Sequence, residues 1–183
     1  MPILADTAAT VIPAGTWSID PAHSTVEFHI KHLGLATVKG RAPVVSGAIE
    51  GGDEPSIQGT VSVASITTFD ENRDGHLRSP EFFDVGRYPE LTFVSTEIEF
   101  RENDLEVAGE LTIKGITRPV TLSGTFAGSG VDPWGSERIG IEVETTVDRT
   151  DWGLAWNAPL PGGGFLLPDN VRLAAAFSAV KAG

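Results

Sequence analysis

The chain has 183 residues, 40% hydrophobic and 21% charged, which suits one folded domain and excludes wholesale disorder. It carries 13 Lys and Arg against 25 Asp and Glu, a formal charge of −12 that repels nucleic acid and anionic lipid surfaces in general. With no cysteine, it has no disulfide, zinc–thiolate site, iron–sulfur cluster or thiol nucleophile.

Residues 1–14 read as a flexible N-terminal arm, and 15–183 as a single domain. The arm makes a poor signal peptide, because it has no basic start, Asp6 comes early and Pro13 interrupts a modest apolar run. The expected location is cytoplasmic, or periplasmic or secreted if a leader has been removed. No stretch approaches the length of a transmembrane helix.

A short first strand is expected at 15–21, carrying Trp17 and Ile19. Over 24–33 the alternation is clean, with Val26, Phe28 and Ile30 on one face and Glu27, His29 and Lys31 on the other. His32 falls on the apolar face. A long extended segment follows over 38–50, broken at Pro43, which points to an edge or bulge. After a Gly-Gly-Asp-Glu-Pro turn, residues 57–66 form another strand.

An insert near 71–87 departs from the β pattern. Asp70 or Asn72 caps a short helix over 72–78, on which Asp74 and Arg78 are spaced to pair. Ser79-Pro80-Glu81 is a second helix-start signal. From Glu90 the alternation resumes, and its phase shift between Phe93 and Ile98 predicts a bulge. Strands over 105–113 and 120–126 flank a tight turn at Lys114-Gly115-Ile116-Thr117, and two further strands hold Ile139 to Val147 and Val171 to Ala179. Between those two, 148–164 is irregular and rich in Trp, Pro and Gly. About eight long strands with internal glycines favour a closed antiparallel barrel over a sandwich. Ten-residue strands tilted near 40° stand roughly 25 Å tall, enough to sheathe an extended lipid tail.

The run Trp17-x-Ile19-Asp20-x-x-His23-Ser24-x-Val26-x-Phe28-x-Ile30-x-His32 resembles the opening of the YceI-like family. So do Arg73-Asp74-x-His76-Leu77-Arg78-Ser79-x-x-Phe82-Phe83-Asp84 and Tyr88-Pro89-x-Leu91-x-Phe93-x-Ser95. Gly109-x-Leu111-Thr112-Ile113-x-Gly115-Ile116-Thr117-x-Pro119-Val120 and Arg149-x-Asp151-Trp152-Gly153-Leu154 complete the series, in consistent order. The resemblance implies an eight-stranded, lipocalin-like β-barrel with an apolar channel. It further implies a polyisoprenoid, isoprenoid quinone or fatty amide as ligand, a transport, storage or sequestering role, and homodimerisation. The sequence departs from the pattern at Ala42, where an aromatic is expected; an inward Ala42 widens the lumen.

Phe28, Ile30, His32, Phe93, Phe126 and Phe177 on the strands, with Phe82 and Phe83 after the insert, are the expected ligand-binding wall. Arg73, Asp74, His76 and Arg78 are the expected polar end of the site. Trp152 and Trp156, beside a Pro- and Gly-rich run ending at Phe165, read as a loop over one barrel end, with Trp152 and Phe165 touching ligand. Phe-rich faces are also what plain core looks like, and the Arg73–Arg78 cluster can be read as a structural plug or head-group anchor, or, with no metal or nucleophile spacing to support it, as a catalytic group. The leading reading is a lipid-binding protein without catalytic residues, metal or cofactor. The alternatives are an enzyme acting on a lipid-like substrate at Arg73, Asp74, His76 and Arg78, and a solid barrel that serves structure or interaction. The negative field favours a neutral head group over a diphosphate.

Overall fold

A computed structural model describes residues 11–183. Ten strands form one antiparallel sheet: β1 (Gly15–Ile19), β2 (Thr25–His32), β3 (Ala36–Ala42), β4 (Val44–Gly51), β5 (Ser56–Ser62), β6 (Glu90–Arg101), β7 (Asp104–Ile113), β8 (Ile116–Val131), β9 (Glu137–Asp148) and β10 (Asn170–Lys181). Helix α1 (Glu71–Arg78) lies between β5 and β6. Eight strands, β1 and β4 to β10, close a barrel when β1 pairs with both β4 and β10.

Two interruptions shape one end. β1 pairs with the last residues of β10, from Trp17↔Lys181 to Ile19↔Ala179. A one-turn 3-10 helix at Pro21–His23 then offsets the chain, and β2 continues along β10 from Thr25↔Ala176 to His29↔Arg172. Pro43, which has no N–H to donate, separates β3 from β4. β4 stays in the barrel, whereas β3 pairs with β2 and touches the opposite side through one bridge, Arg41↔Thr67. The β2–β3 hairpin therefore stands out from the ring, and residues 63–69 with α1 fill the space it leaves. This is the mouth end. The β4–β5, β6–β7 and β8–β9 turns lie at the far end.

The expected phase shift in β6 is a register break between Ser95 and Glu97. The β7–β8 turn has Lys114 and Gly115 both in the left-handed region (φ 52° and 74°), the backbone of a tight hairpin whose twist matches its strands.

The arm expected over 1–14 lies outside the described residues for 1–10, and over 11–14 the chain is anchored through Ile12 and Pro13 while Val11 and Ala14 are exposed. Ile12 is buried in the far-end core with Trp17, Ile49 and Phe126. Trp17 Nε1 donates to the Pro13 carbonyl at 2.8 Å, and Gly52 N donates to the Ile12 carbonyl at 3.0 Å. These contacts close the barrel floor. A second core group, with Phe82, Leu111, Ile113, Val120, Trp152 and Leu154, sits beneath the mouth-end loops.

A polar junction fixes the β1–β2 offset. Arg138 donates from Nη1 to Asp20 Oδ2 and from Nε to Asp132 Oδ2, each at 2.9 Å, and His23 Nδ1 lies 2.8 Å from Asp20. The Arg138 guanidinium, then His23, lower the Asp20 carboxyl to about 2. A folded-state value below the unfolded one stabilises above the unfolded value, near pH 4, and that increment is lost as pH falls toward 2. Asp20→Asn is expected to cost about 1 kcal/mol at neutral pH, after allowance for solvent screening. Its deficit relative to wild type should shrink on acidification; urea unfolding at both pH values measures it.

Candidate functional site

The barrel encloses a cavity of about 600 Å³ whose walls are almost wholly apolar. It lies between the far-end core and the mouth-end group, so the lumen is open rather than filled. Its middle is walled by Val26, Phe28, Leu91, Phe93, Ala175 and Phe177, the inward faces of β2, β6 and β10. Two of its rings lie over glycines of the neighbouring strand. A Cβ on Gly40 would come within 2.0 Å of the Phe28 ring, and one on Gly109 within 2.4 Å of the Phe93 ring. Each glycine of the neighbouring strand leaves the space that its aromatic occupies. Ala42 points inward, is buried and lines the same wall.

At the mouth, Ile30, His32 and Val38 of the hairpin face Asp70, Asn72, Arg73 and His76 at α1, with Trp156, Leu166 and Leu167 opposite. His32, expected on an apolar face, is exposed at this rim while still lining the opening. Helix α1 begins at Asp70, whose side chain accepts from Arg73 N. It stops at Ser79, and no second helix forms there. Pro80 disfavours helical geometry for Ser79, whose φ and ψ are −70° and 166°, and the chain runs on as successive turns to Arg87.

The cluster from Arg73 to Arg78 divides by what each side chain meets. Asp74 does not pair with Arg78. It is 5% exposed and accepts from Thr68 N at 2.7 Å, Thr68 Oγ1 at 2.5 Å and Thr67 Oγ1 at 3.2 Å. Burial pushes its carboxyl up, but those hydrogen bonds and the Arg78 charge outweigh it and hold the group below the usual carboxylate range. Arg78 instead donates to the Ala64 and Ile66 carbonyls at 3.0 and 2.8 Å. Neither Asp74 nor Arg78 lines the cavity. Arg73 does, while donating from Nε to Thr68 Oγ1 at 2.7 Å and from Nη2 to the Thr68 carbonyl at 3.0 Å. Together these side chains latch α1 to residues 64–68.

His76 alone in the cluster faces aromatic rings. Its ring meets Trp156 and Phe82 edge-on at 4.6 and 4.9 Å, and Nε2 lies 2.5 Å from Glu81 Oε2. Trp156 thus belongs to the lining, as Trp152 does, whose Nε1 donates to the Leu111 carbonyl at 3.0 Å. Phe82 and Phe83 also line the lumen. Phe126 does not; it is packed into the far-end core. Phe165 is 64% exposed and lines no wall.

Arg149 lines the cavity and is buried, a role that spacing alone did not single out. It donates to the Pro168, Leu154 and Trp156 carbonyls, so one guanidinium gathers both ends of the 154–168 loop. Nη2 has no hydrogen-bond partner among the described residues; Asp169 Oδ1 is 3.8 Å away. Burial draws the guanidinium below its usual range, against the pull of Asp169 and Asp148. Asn157 folds the loop on itself through Leu167 N and O, and the Leu166 carbonyl accepts from Leu33 N at 3.0 Å. The loop is thereby tied to the tip of the β2–β3 hairpin across the mouth.

Among the described residues no group of three or more His, Asp or Glu is placed to hold a metal ion, and no helix is long and apolar enough to cross a membrane.

The YceI-like domain matches residues 17–179. A UPF0312 protein of Vibrio parahaemolyticus is 36% identical over 157 residues, covering 80% of this chain and 83% of the relative. In structure, Burkholderia cenocepacia BcnA superposes with a TM-score of 0.70 at 23% identity, covering 87% of this chain and 98% of its own. A polyisoprenoid-binding domain of Saccharophagus degradans, implicated in plant cell wall breakdown, superposes at 0.68 with 15% identity, covering 91% and 98%.

Proposed function

Since the chain belongs to the YceI-like family, we propose that it binds one long, predominantly apolar lipid in the barrel lumen, carrying or sequestering it. The observation that carries this reading is the cavity of about 600 Å³, apolar along its walls, with polar groups gathered at the mouth. Its volume is roughly four times that of a ~150 Å³ apolar cavity that stays dry and binds benzene. By that ratio it takes on the order of two dozen carbons, or about five isoprene units. Each buried unit contributes roughly 3–4 kcal/mol, so a few units outweigh association costs of several kcal/mol.

The head group is read as neutral. Arg78 does not line the cavity, and Arg73 at the mouth is held to Thr68 through Nε and Nη2, which limits how either can reach a diphosphate. The net charge of −12 acts in the same direction. An isoprenoid quinone or a fatty amide fits this chemistry, and the Saccharophagus domain's polyisoprenoid binding supports the isoprenoid arm.

Organic extraction of the purified protein, followed by mass spectrometry, should release a single-chain lipid in near-equal amount to the protein. Protein that neither yields such a lipid nor takes one up from solution would sink the reading.

A further inference from the structure

The mouth rim exposes large apolar side chains on each of the three elements that frame it. Leu33 and Leu35 at the β2–β3 tip are 44% and 81% exposed, Phe69 before α1 is 83% exposed, and Phe165 on the loop is 64% exposed. The backbone conformation of two of them is as unusual as their exposure. Leu33 and Phe69 have φ of 57° and 62°, a region that glycine or asparagine fills without strain. Phe69 is held there by the latch beneath it, since its N–H donates to Thr67 Oγ1, which itself bonds Asp74. A bulky apolar side chain kept in water, on a backbone that disfavours it, gains nothing for the folded monomer.

Charge is distributed unevenly along the barrel. From Phe28 to Ile49 there is no acidic residue, while Lys31, Lys39 and Arg41 lie on the hairpin. Arg41 pairs with Glu27, but Lys31 and Lys39 meet no carboxylate within ion-pair distance among the described residues. The far end is acidic: Asp53 and Glu54, Glu102 and Asp104, Asp132 and Glu137 flank its three turns. About 25 Å of barrel separates the ends, more than two Debye lengths at physiological salt, so the far-end acids do not cancel the hairpin lysines. The mouth end also carries acids: Asp70, which caps α1, with Glu71 and Glu81 on that side, and Asp151 and Asp169 between β9 and β10; none lies on the hairpin between Phe28 and Ile49.

We propose that this rim docks on an anionic phospholipid bilayer. Leu33, Leu35, Phe69 and Phe165 enter the acyl boundary while Lys31 and Lys39 meet the phosphates, so that the mouth opens onto the membrane. The far-end acids orient the approach by facing away. A lipid leaving the lumen then passes into the bilayer without crossing water. The purpose of docking rests on the lipid-carrier reading; the docking itself does not.

Flotation with vesicles of phosphatidylglycerol or of phosphatidylcholine tests it, using the whole chain with no added lumen ligand. The protein should float with the phosphatidylglycerol vesicles and much less with the others. The anionic preference should weaken in about 1 M salt, where the Debye length is near 3 Å. Combining Leu35→Ser with Phe69→Gly should reduce partitioning at least about tenfold. Glycine suits the φ of Phe69, so unfolding is expected at or above the temperature of a Leu35→Ser single variant. Trp134→Ser, which removes an exposed aromatic at the far end, should leave flotation unchanged. Equal binding to both vesicles, wild-type flotation of the rim variant, or rim-dependent dimers that stay off vesicles would each overturn the proposal. None of these outcomes alters what organic extraction finds in the lumen, so the two readings fail separately.

Discussion

Asp74→Ala is expected to lower the unfolding free energy by about 3 kcal/mol. The carboxylate accepts from Thr68 N, Thr68 Oγ1 and Thr67 Oγ1 in a site that is 5% exposed. Alanine leaves those donors without an acceptor, and each buried donor left unmade costs about 1–3 kcal/mol. Thr68 Oγ1 also receives Arg73 Nε, so the loss spreads to the rest of the latch. Asp74→Asn should cost less, because a carbonyl oxygen still accepts from Thr68 N. The carboxyl is held below its usual value, so its stabilisation is full above the unfolded value near 4 and is lost as pH falls below it. Urea unfolding of wild type and both variants, at neutral pH and near pH 3, gives the costs and that sign. A neutral result for Asp74→Ala would mean that the latch does not hold α1.

Filling the lumen at one level should abolish lipid capture while leaving the fold intact. Ala42 of β3 and Ala175 of β10 both pair with Val26 of β2, so the three side chains form one rank across the wall. Ala42→Phe combined with Ala175→Phe places two rings in open space. Excluding a single isoprene unit removes about 3–4 kcal/mol of burial, roughly a hundredfold or more in Kd. In a packed core the same change would cost about 1–3 kcal/mol per site through strain. In an open lumen the unfolding free energy should stay within about 1 kcal/mol of wild type, because the rings take the place of void. Titration with geranylgeraniol, alongside urea unfolding, reads both quantities. A strongly destabilised variant that still binds the probe would show that the lumen is elsewhere or filled.

The residues of the wall were legible wherever alternation was clean. Phe28, Phe93 and Phe177 sit on strands of period two, so their face follows from the pleat. The same logic places Phe126 on an inward face and still misses its role. Depth along the barrel decides between lumen and floor, and depth depends on strand stagger, which no local period records. Phe165 failed for a different reason: the Leu160–Gly164 turn and the Pro159↔Phe165 bridge aim it outward, and glycine-rich loops leave no period to read. In α1, the i,i+4 spacing of Asp74 and Arg78 is real, yet Thr67 and Thr68 offer the carboxylate a main-chain N–H and two hydroxyls at close range. The helix neighbour could not be weighed against partners from another segment until both were in place. Arg149 was visible as part of a motif, but its work is to gather carbonyls from Leu154 to Pro168, contacts that exist only once the loop has folded back.

Sequence alone determined the strands, the break at Pro43, the bulge in β6, the tight turn at Lys114–Gly115 and a helix cap at Asp70 or Asn72, because each depends on side-chain alternation or on backbone preference within a few residues. Tertiary structure decided which strands close the ring and where Ile12 and Trp17 seal the floor. It also decided that the centre stays open and that the mouth gathers Leu33, Leu35, Phe69 and Phe165. Those outcomes depend on stagger and on contacts between segments far apart in the chain, for which a one-dimensional pattern holds no term.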